Sequence, residues 1–254
     1  MWPIVVIAVN TFREHLRDRI LYTLLLFAVL LTGASTLLAD LTILEQHKII
    51  TDMGLAAIDL VGVIMAILIG IGLVSREIER RTLYTVLARP ISRAQFVLGK
   101  YLGIVMTLLV NVTIMLATYL ATLWLVGAPL RWALFQAVQL MVMKLLVIAA
   151  IALCCSTLSS ATVSAIVTIG LVVLGHLATD LRGLAQKSRS ETVKAVVTFV
   201  SYLCPNLDLL DLKGPAARGI PAPLSYDLLA SAYGLMYTAM LVVGACLLFN
   251  RRDF

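Results

Sequence analysis

Few residues in this chain have the type and spacing that chemistry requires. Gly99-Lys100 is the only Gly-Lys pair. A phosphate-binding loop needs a glycine five positions before that second glycine and Ser or Thr after the lysine. Ala94 and Tyr101 stand there instead, so the chain does not hold a nucleotide in that way. No His-Glu-x-x-His occurs, and His15, His47 and His176 are scattered along the chain, which argues against an intramembrane metalloprotease. His47, Met53, His176 and Cys204 offer soft or imidazole donors of the kind copper takes, but nothing in their spacing demands a metal. The expectation is no catalytic residue, no metal and no enzymatic activity.

Two other groups of residues stand out. Asp59 and Lys144 lie within long apolar stretches, where a charge costs about 2.5–3.5 kcal/mol on insertion scales and usually faces a partner or a wet cavity. They form an ion pair or line a pathway, or else each reaches toward an interface, Lys144 by stretching to the headgroups. The second group is a compact charged segment, Ser75-Arg76-Glu77-Ile78-Glu79-Arg80-Arg81-Thr82-Leu83-Tyr84, followed by Leu87-Ala88-Arg89-Pro90-Ile91-Ser92-Arg93 and Gly99-Lys100. In so apolar a chain this is where contact with something soluble is expected. Glu77, Arg80, Arg81 and Tyr84 fall within two helical turns and can project from one short helix. Pro90 ends that helix, and residues 93–100 lead toward the next apolar stretch along the headgroups.

The elements that position these residues follow from composition. Of 254 residues, 61% are hydrophobic and 13% charged, with a mean hydropathy of +1.00. Soluble domains carry about 25% charged residues, so this is an integral membrane protein. A bilayer core of ~30 Å takes about 20 apolar residues per helix. Residues 21–39, 53–75, 101–130 and 228–250 each supply a span. The stretch 145–179 is too long for one crossing and is divided at Ser156-Thr157-Leu158-Ser159-Ser160, giving 134–155 and 161–179. The expected fold is therefore an all-α membrane protein with six transmembrane helices in a single domain over 1–254.

Basic residues are retained on the cytoplasmic side of short loops. With both termini inside, Arg13, Arg17, Arg19, Arg76, Arg80, Arg81, Arg89, Arg93, Lys100, Arg251 and Arg252 are all cytoplasmic, and the short outer loops hold only Lys48 and Arg131. The net charge of +6 is thus a topology signal, with no nucleic-acid binding implied. Cys154, Cys155 and Cys246 fall near inner ends of spans and Cys204 outside, which does not make a disulfide framework. No cleavable signal peptide is evident, because the first apolar stretch precedes the charges.

Residues 1–20 place Trp2, Val5, Val6, Val9, Phe12, Leu16 and Ile20 on one side of a helix, with Asn10, Arg13, Glu14, Arg17 and Asp18 on the other. That pattern predicts an amphipathic helix at the inner interface. In the outer segment 180–227 the apolar run 195–204, ending before Pro205-Asn206, is too short to cross and fits a re-entrant piece. No internal repeat is visible, which weighs against secondary transporters built from inverted repeats.

The 77–83, 87–93 and 99–100 motifs quoted above resemble the signature loop of ABC-2-type transporter permeases, in particular those serving multicopper-enzyme maturation, such as that of nitrous oxide reductase. The resemblance covers the whole chain, including the outer half-helices between spans five and six. Arg81 stands where many relatives have Gly before Thr-Leu, so the helix continues there. The resemblance implies a permease subunit coupling ATP hydrolysis by a separate ATPase, in two copies, to translocation, more often export than import. ATP and Mg would sit on that ATPase, leaving this chain without a cofactor. A second permease chain, forming a homodimer, completes the assembly in the plasma (inner) membrane. Glu77, Glu79, Arg80, Arg81, Tyr84, Pro90, Ser92 and Arg93 in the loop 76–100 would then meet the ATPase. The alternatives are an ATP-independent transporter or channel driven by Asp59 and Lys144, and a membrane scaffold for a maturation partner.

Overall fold

The computed structural model describes residues 2–40, 46–79, 92–187, 197 and 204–250. Nine α-helices are assigned among them: α1 (Trp2–Leu16), α2 (Arg19–Asp40), α3 (Gln46–Glu79), α4 (Arg93–Leu125), α5 (Trp132–Leu158), α6 (Ala161–His176), α7 (Ala178–Lys187), α8 (Lys213–Ala217) and α9 (Leu224–Asn250). A 3₁₀ turn, Asp208–Leu210, precedes α8. Four of these helices contain apolar stretches long enough to cross a membrane, namely Lys48–Gly72 in α3 and the whole of α4, α5 and α9. Two shorter apolar helices, Tyr22–Ala34 in α2 and Ala161–His176, take the places expected for spans one and five.

α5 is the centre. Residues 147–153 are buried on every side, as an all-round apolar helix must be, with α3 packed on one flank and α9 on the other. α3 also touches α2, α4 and α6. It approaches α5 closely because Gly70 has no Cβ; one built there would collide with Ala152. α9 leaves Leu229, Met236, Met240, Val243 and Leu247 exposed along one stripe, the face a span turns to lipid or to another span.

Helix ends follow local sequence. Ser92 caps α4 with a full capping box: its Oγ accepts from Gln95 N at 3.3 Å, and Gln95 Oε1 accepts from Ser92 N at 3.1 Å. At the other end Gly127 adopts φ +71°, and Ala128 N donates to Leu123 O at 2.9 Å, closing a Schellman motif. The division of the long apolar run falls at Ser159-Ser160, between α5 and α6. There Ser164 Oγ donates to Cys155 O at 2.9 Å and meets Ser159 Oγ at 2.9 Å. These hydroxyls occupy a carbonyl that lipid could not satisfy.

Two boundaries differ from the sequence reading. Residues 93–100 form the first two turns of α4 rather than a separate headgroup segment, with Phe96, Val97 and Lys100 buried. α3 runs past its apolar part to Glu79, so Glu77 and Glu79 lie on its last turn. At about 1.5 Å per residue its 34 residues reach ~51 Å, well beyond a ~30 Å bilayer core.

α1 is helical as expected, but the face it buries is not the Val5, Val6, Val9 and Phe12 stripe. Ala8 and Thr11 are buried, whereas Val5 and Val6 are exposed. Its docking site is Gly99-x-x-x-Gly103 on α4, a small-residue motif that lets helix backbones approach. A Cβ on Gly99 would stand 2.8 Å from Ile7 and 3.0 Å from Ile4 O, and one on Gly103 2.6 Å from Thr11 and 2.9 Å from Ala8 O.

Candidate functional site

The two charges inside apolar helices meet. Asp59, on the second quarter of α3, and Lys144, midway along α5, face each other with Nζ to Oδ1 at 2.5 Å. Both are buried, at 5% and 1% exposure. They are not alone: the segment that follows α7 supplies Asp211 and Lys213 to the same cluster. Lys213 Nζ pairs with Asp59 Oδ2 and lies 3.0 Å from Asp211 Oδ2, and Lys144 Nζ lies 3.5 Å from that same oxygen. The backbone N of Lys213 also donates to Asp211 Oδ1 at 3.1 Å. Two carboxylates and two ammonium groups thus form a neutral four-residue cluster spanning α3, α5 and the start of α8.

The environment acts on the groups outside the spans in opposing ways. Burial pushes the Asp211 carboxyl up, but Lys144 and Lys213 outweigh it and hold the group below the ordinary carboxylate range. For Lys213 burial alone lowers the pKa, yet Asp59 and Asp211 raise it above that of an ordinary lysine. Both directions favour the charged forms, as expected where opposite charges lie within ~4 Å.

Asp59, His176 and Asp211 bring one ligand atom each within 4.8 Å of one another. The lysines pair with both carboxylates, and His176 Nδ1 lies 2.9 Å from Val172 O, which leaves Nε2 as its open ring nitrogen. The two carboxylates are thus held in an ion-pair network.

The segment bearing Asp211 and Lys213 is fastened along its length. Leu207 N donates to Gly175 O at 3.1 Å, Asn206 N to Tyr233 Oη at 2.9 Å, and Tyr226 Oη to Leu209 O at 2.9 Å. Gln136 pairs with both backbone groups of Ala222, each at 3.1 Å. All these contacts gather at the end of the bundle formed by the start of α5, the end of α6 and the start of α9.

The opposite end holds the other candidate group. Ser92 caps α4, and Arg93 Nη1 donates to Asn250 O at 3.3 Å and lies 3.5 Å from Phe249 O, a cation on the carbonyls that end α9. Phe96 stacks on Phe249 at 5.9 Å. Lys100 Nζ stands 5.7 Å over the Phe96 ring and 3.9 Å from Glu14 on α1. The first turns of α4 therefore tie together α1, α4 and the end of α9. Of the other loop candidates, Arg80, Arg81, Tyr84 and Pro90 lie outside the described residues, as do the side chains of Glu77 and Glu79. The run 195–204, read as re-entrant, also falls outside them except for residues 197 and 204.

Asp211 and Lys213 were not singled out from the sequence. The signal that marks them is the run Leu207-Asp208-Leu209-Leu210-Asp211-Leu212-Lys213, in which charges alternate with leucines too regularly for a solvated loop.

An all-helical bundle with apolar crossings, a charged extension at one end and a folded segment packed over the other is a multi-pass membrane protein. The family model described as ABC-2 family transporter protein matches residues 5–254, and the chain belongs to that family. No curated protein matches it.

Proposed function

We propose that this chain is the membrane-spanning subunit that couples ATP hydrolysis by a separate ATPase to movement of a substrate across the plasma membrane, in the direction of export. The observation that carries this reading is the construction around residues 80–91. α3, which leads into that loop, extends beyond the apolar zone and packs on the central helix α5, while α4, which leaves it, holds α1 and the end of α9 within its first two turns. A push on the loop therefore reaches every long apolar helix of the bundle through packed contacts. Glu77, Glu79, Arg80, Arg81 and Tyr84 would meet the ATPase, while Ser92 and Arg93 pass the displacement on. Pro90 would set the turn between the two.

In this reading the loop end faces the cytoplasm, both termini lie there, and the segment 204–223 lies outside. Two ATPase copies and a second permease chain complete the assembly, since closed two-fold assemblies are commonest; the exposed α9 stripe is suited to that partner. ATP and Mg would be held by the ATPase alone. The test is charge reversal, Glu79→Lys with Arg80→Glu, in a membrane preparation containing the cognate ATPase. Insertion is expected to be unchanged, with loss of the permease-dependent stimulation of ATPase activity. Normal stimulation in the double reversal would refute the loop as the contact.

A further inference from the structure

The four-residue charge cluster divides cleanly. Asp59 and Lys144 belong to α3 and α5, and pair with each other at 2.5 Å. Asp211 and Lys213 belong to the segment 204–223, and pair at 3.0 Å with a further backbone contact between them. The bonds that join the halves are Lys213 to Asp59 and Lys144 to Asp211. If the halves separate, each keeps one carboxylate and one ammonium group in contact and neither is left with a net charge. A buried pair that loses one partner leaves an uncompensated charge, which is the large penalty in breaking such pairs. This cluster avoids it.

The remaining fastenings of the segment are hydrogen bonds and three buried side chains, Leu207, Leu210 and Ala216, seated in the core. The hydrogen bonds, Leu207 to Gly175, Gln136 to Ala222, Tyr226 to Leu209 and Asn206 to Tyr233, are single or paired contacts that water can replace once the segment lifts. Beneath the segment, the α3 and α5 helices that carry the other pair bury Leu55, Ile58, Leu140, Met141 and Leu145.

We propose that residues 204–223 form a detachable lid over one end of the bundle, latched by exchange between the inter-half pairs Lys213–Asp59 and Lys144–Asp211 and the intra-half pairs Asp59–Lys144 and Asp211–Lys213. The inference rests on the transport reading for its purpose, since a lid at the end opposite the loop is where a translocated molecule would leave. Its mechanism rests on the cluster alone. The latch sets how often the end opens without demanding a bare charge in the apolar interior.

Cys204 provides the readout, because it begins the lid and is buried at 5% exposure. The full chain is reconstituted in lipid nanodiscs without ATPase or nucleotide, with Cys154, Cys155 and Cys246 replaced by Ser, and the rate of maleimide labelling at Cys204 is measured. Asp211→Asn with Lys213→Met removes the lid's charges and leaves the Asp59–Lys144 pair intact. Labelling is expected to rise about 5- to 30-fold, the change in local opening that loss of a modest latch produces. A parallel protein retaining only Cys155, at the far end of α5, is expected to label at the rate of its parent. An unchanged Cys204 rate in the folded double variant would overturn the latch, and so would an equal rise at Cys155, which would mean that the whole bundle had loosened. If the double variant does not fold, Asp211→Asn alone must raise the Cys204 rate in the same direction, and no rise there would overturn the proposal. Because no ATPase is present, this outcome is independent of the charge-reversal test at the loop.

Discussion

Asp59 is the carboxylate most deeply committed to the cluster, with a lysine on each oxygen and a side chain only 8% exposed. Replacing it by Asn would leave Lys144 and Lys213 to share Asp211, putting an excess positive charge in a buried site. Breaking a buried pair this way costs about 3–5 kcal/mol, so Asp59→Asn is expected to lower stability by about that much in a denaturation series in detergent. Asp211 is 22% exposed, and Asp211→Asn is expected to cost clearly less because water reaches the site. Equal losses at the two positions would contradict the burial difference. The pH dependence has a definite sign. The folded pKa of Asp211 is lowered, so its contribution is fully present above the unfolded value of ~3.9 and fades as pH falls through the folded one. That of Lys213 is raised, so its contribution is complete below ~10.4 and is lost as pH rises through the folded value. The contribution of Asp211 and Lys213 is therefore expected to be level between about pH 4 and 10, and a stability profile sloping through neutrality would have to come from other groups.

At the scale of elements, α1 depends on one surface of α4. Gly99 and Gly103 are the two places where its backbone could not tolerate a Cβ without movement. Overpacking of this kind costs about 1–3 kcal/mol. Gly103→Val is accordingly expected to detach α1 while leaving α3, α5 and α9 assembled, and limited proteolysis should then cut within residues 2–18 before anywhere else in the described helices. Protection of those residues in the variant would show that α1 is held by something other than the glycine face. The same contact explains why the stripe expected on α1 and the face it buries do not coincide. Helical periodicity identified an apolar side, Val5, Val6, Val9 and Phe12, but in a membrane an apolar side has lipid as an adequate partner, and the protein contact goes instead to the smaller Ala8 and Thr11.

For the whole molecule, the direction of the chain through the bundle makes a topological prediction. α6 ends beside Leu207, and α9 begins beside the Gln136–Ala222 contact, so the chain leaves and re-enters the bundle at one end. α9 then finishes against Arg93 at the other. With the loop in the cytoplasm, Asp253→Cys in an otherwise cysteine-free chain is expected to resist an impermeant thiol reagent in intact cells and to react after permeabilisation. Reaction in intact cells would place the α9 terminus outside and invert the orientation.

The all-helical membrane class, the apolar stretches, a break somewhere in 156–160 and the charged segment were determined by the sequence alone; the structure narrowed the break to Ser159-Ser160. These depend on hydropathy and short-range capping, which act between neighbours in the chain. Sequence also marked Asp59 and Lys144, because a charge in an apolar run is conspicuous by itself. Only the tertiary structure decided that Asp211 and Lys213 complete their cluster, that Arg93 ends α9 instead of standing free, and that Gly99 and Gly103 seat α1. Each joins residues far apart in the chain: Asp59 and Lys213 are separated by 154 positions and Arg93 and Asn250 by 157. A charge in a polar-looking segment or a glycine in a helix has many ordinary explanations, and its partner is fixed only when the packed helices bring the two within a few ångströms.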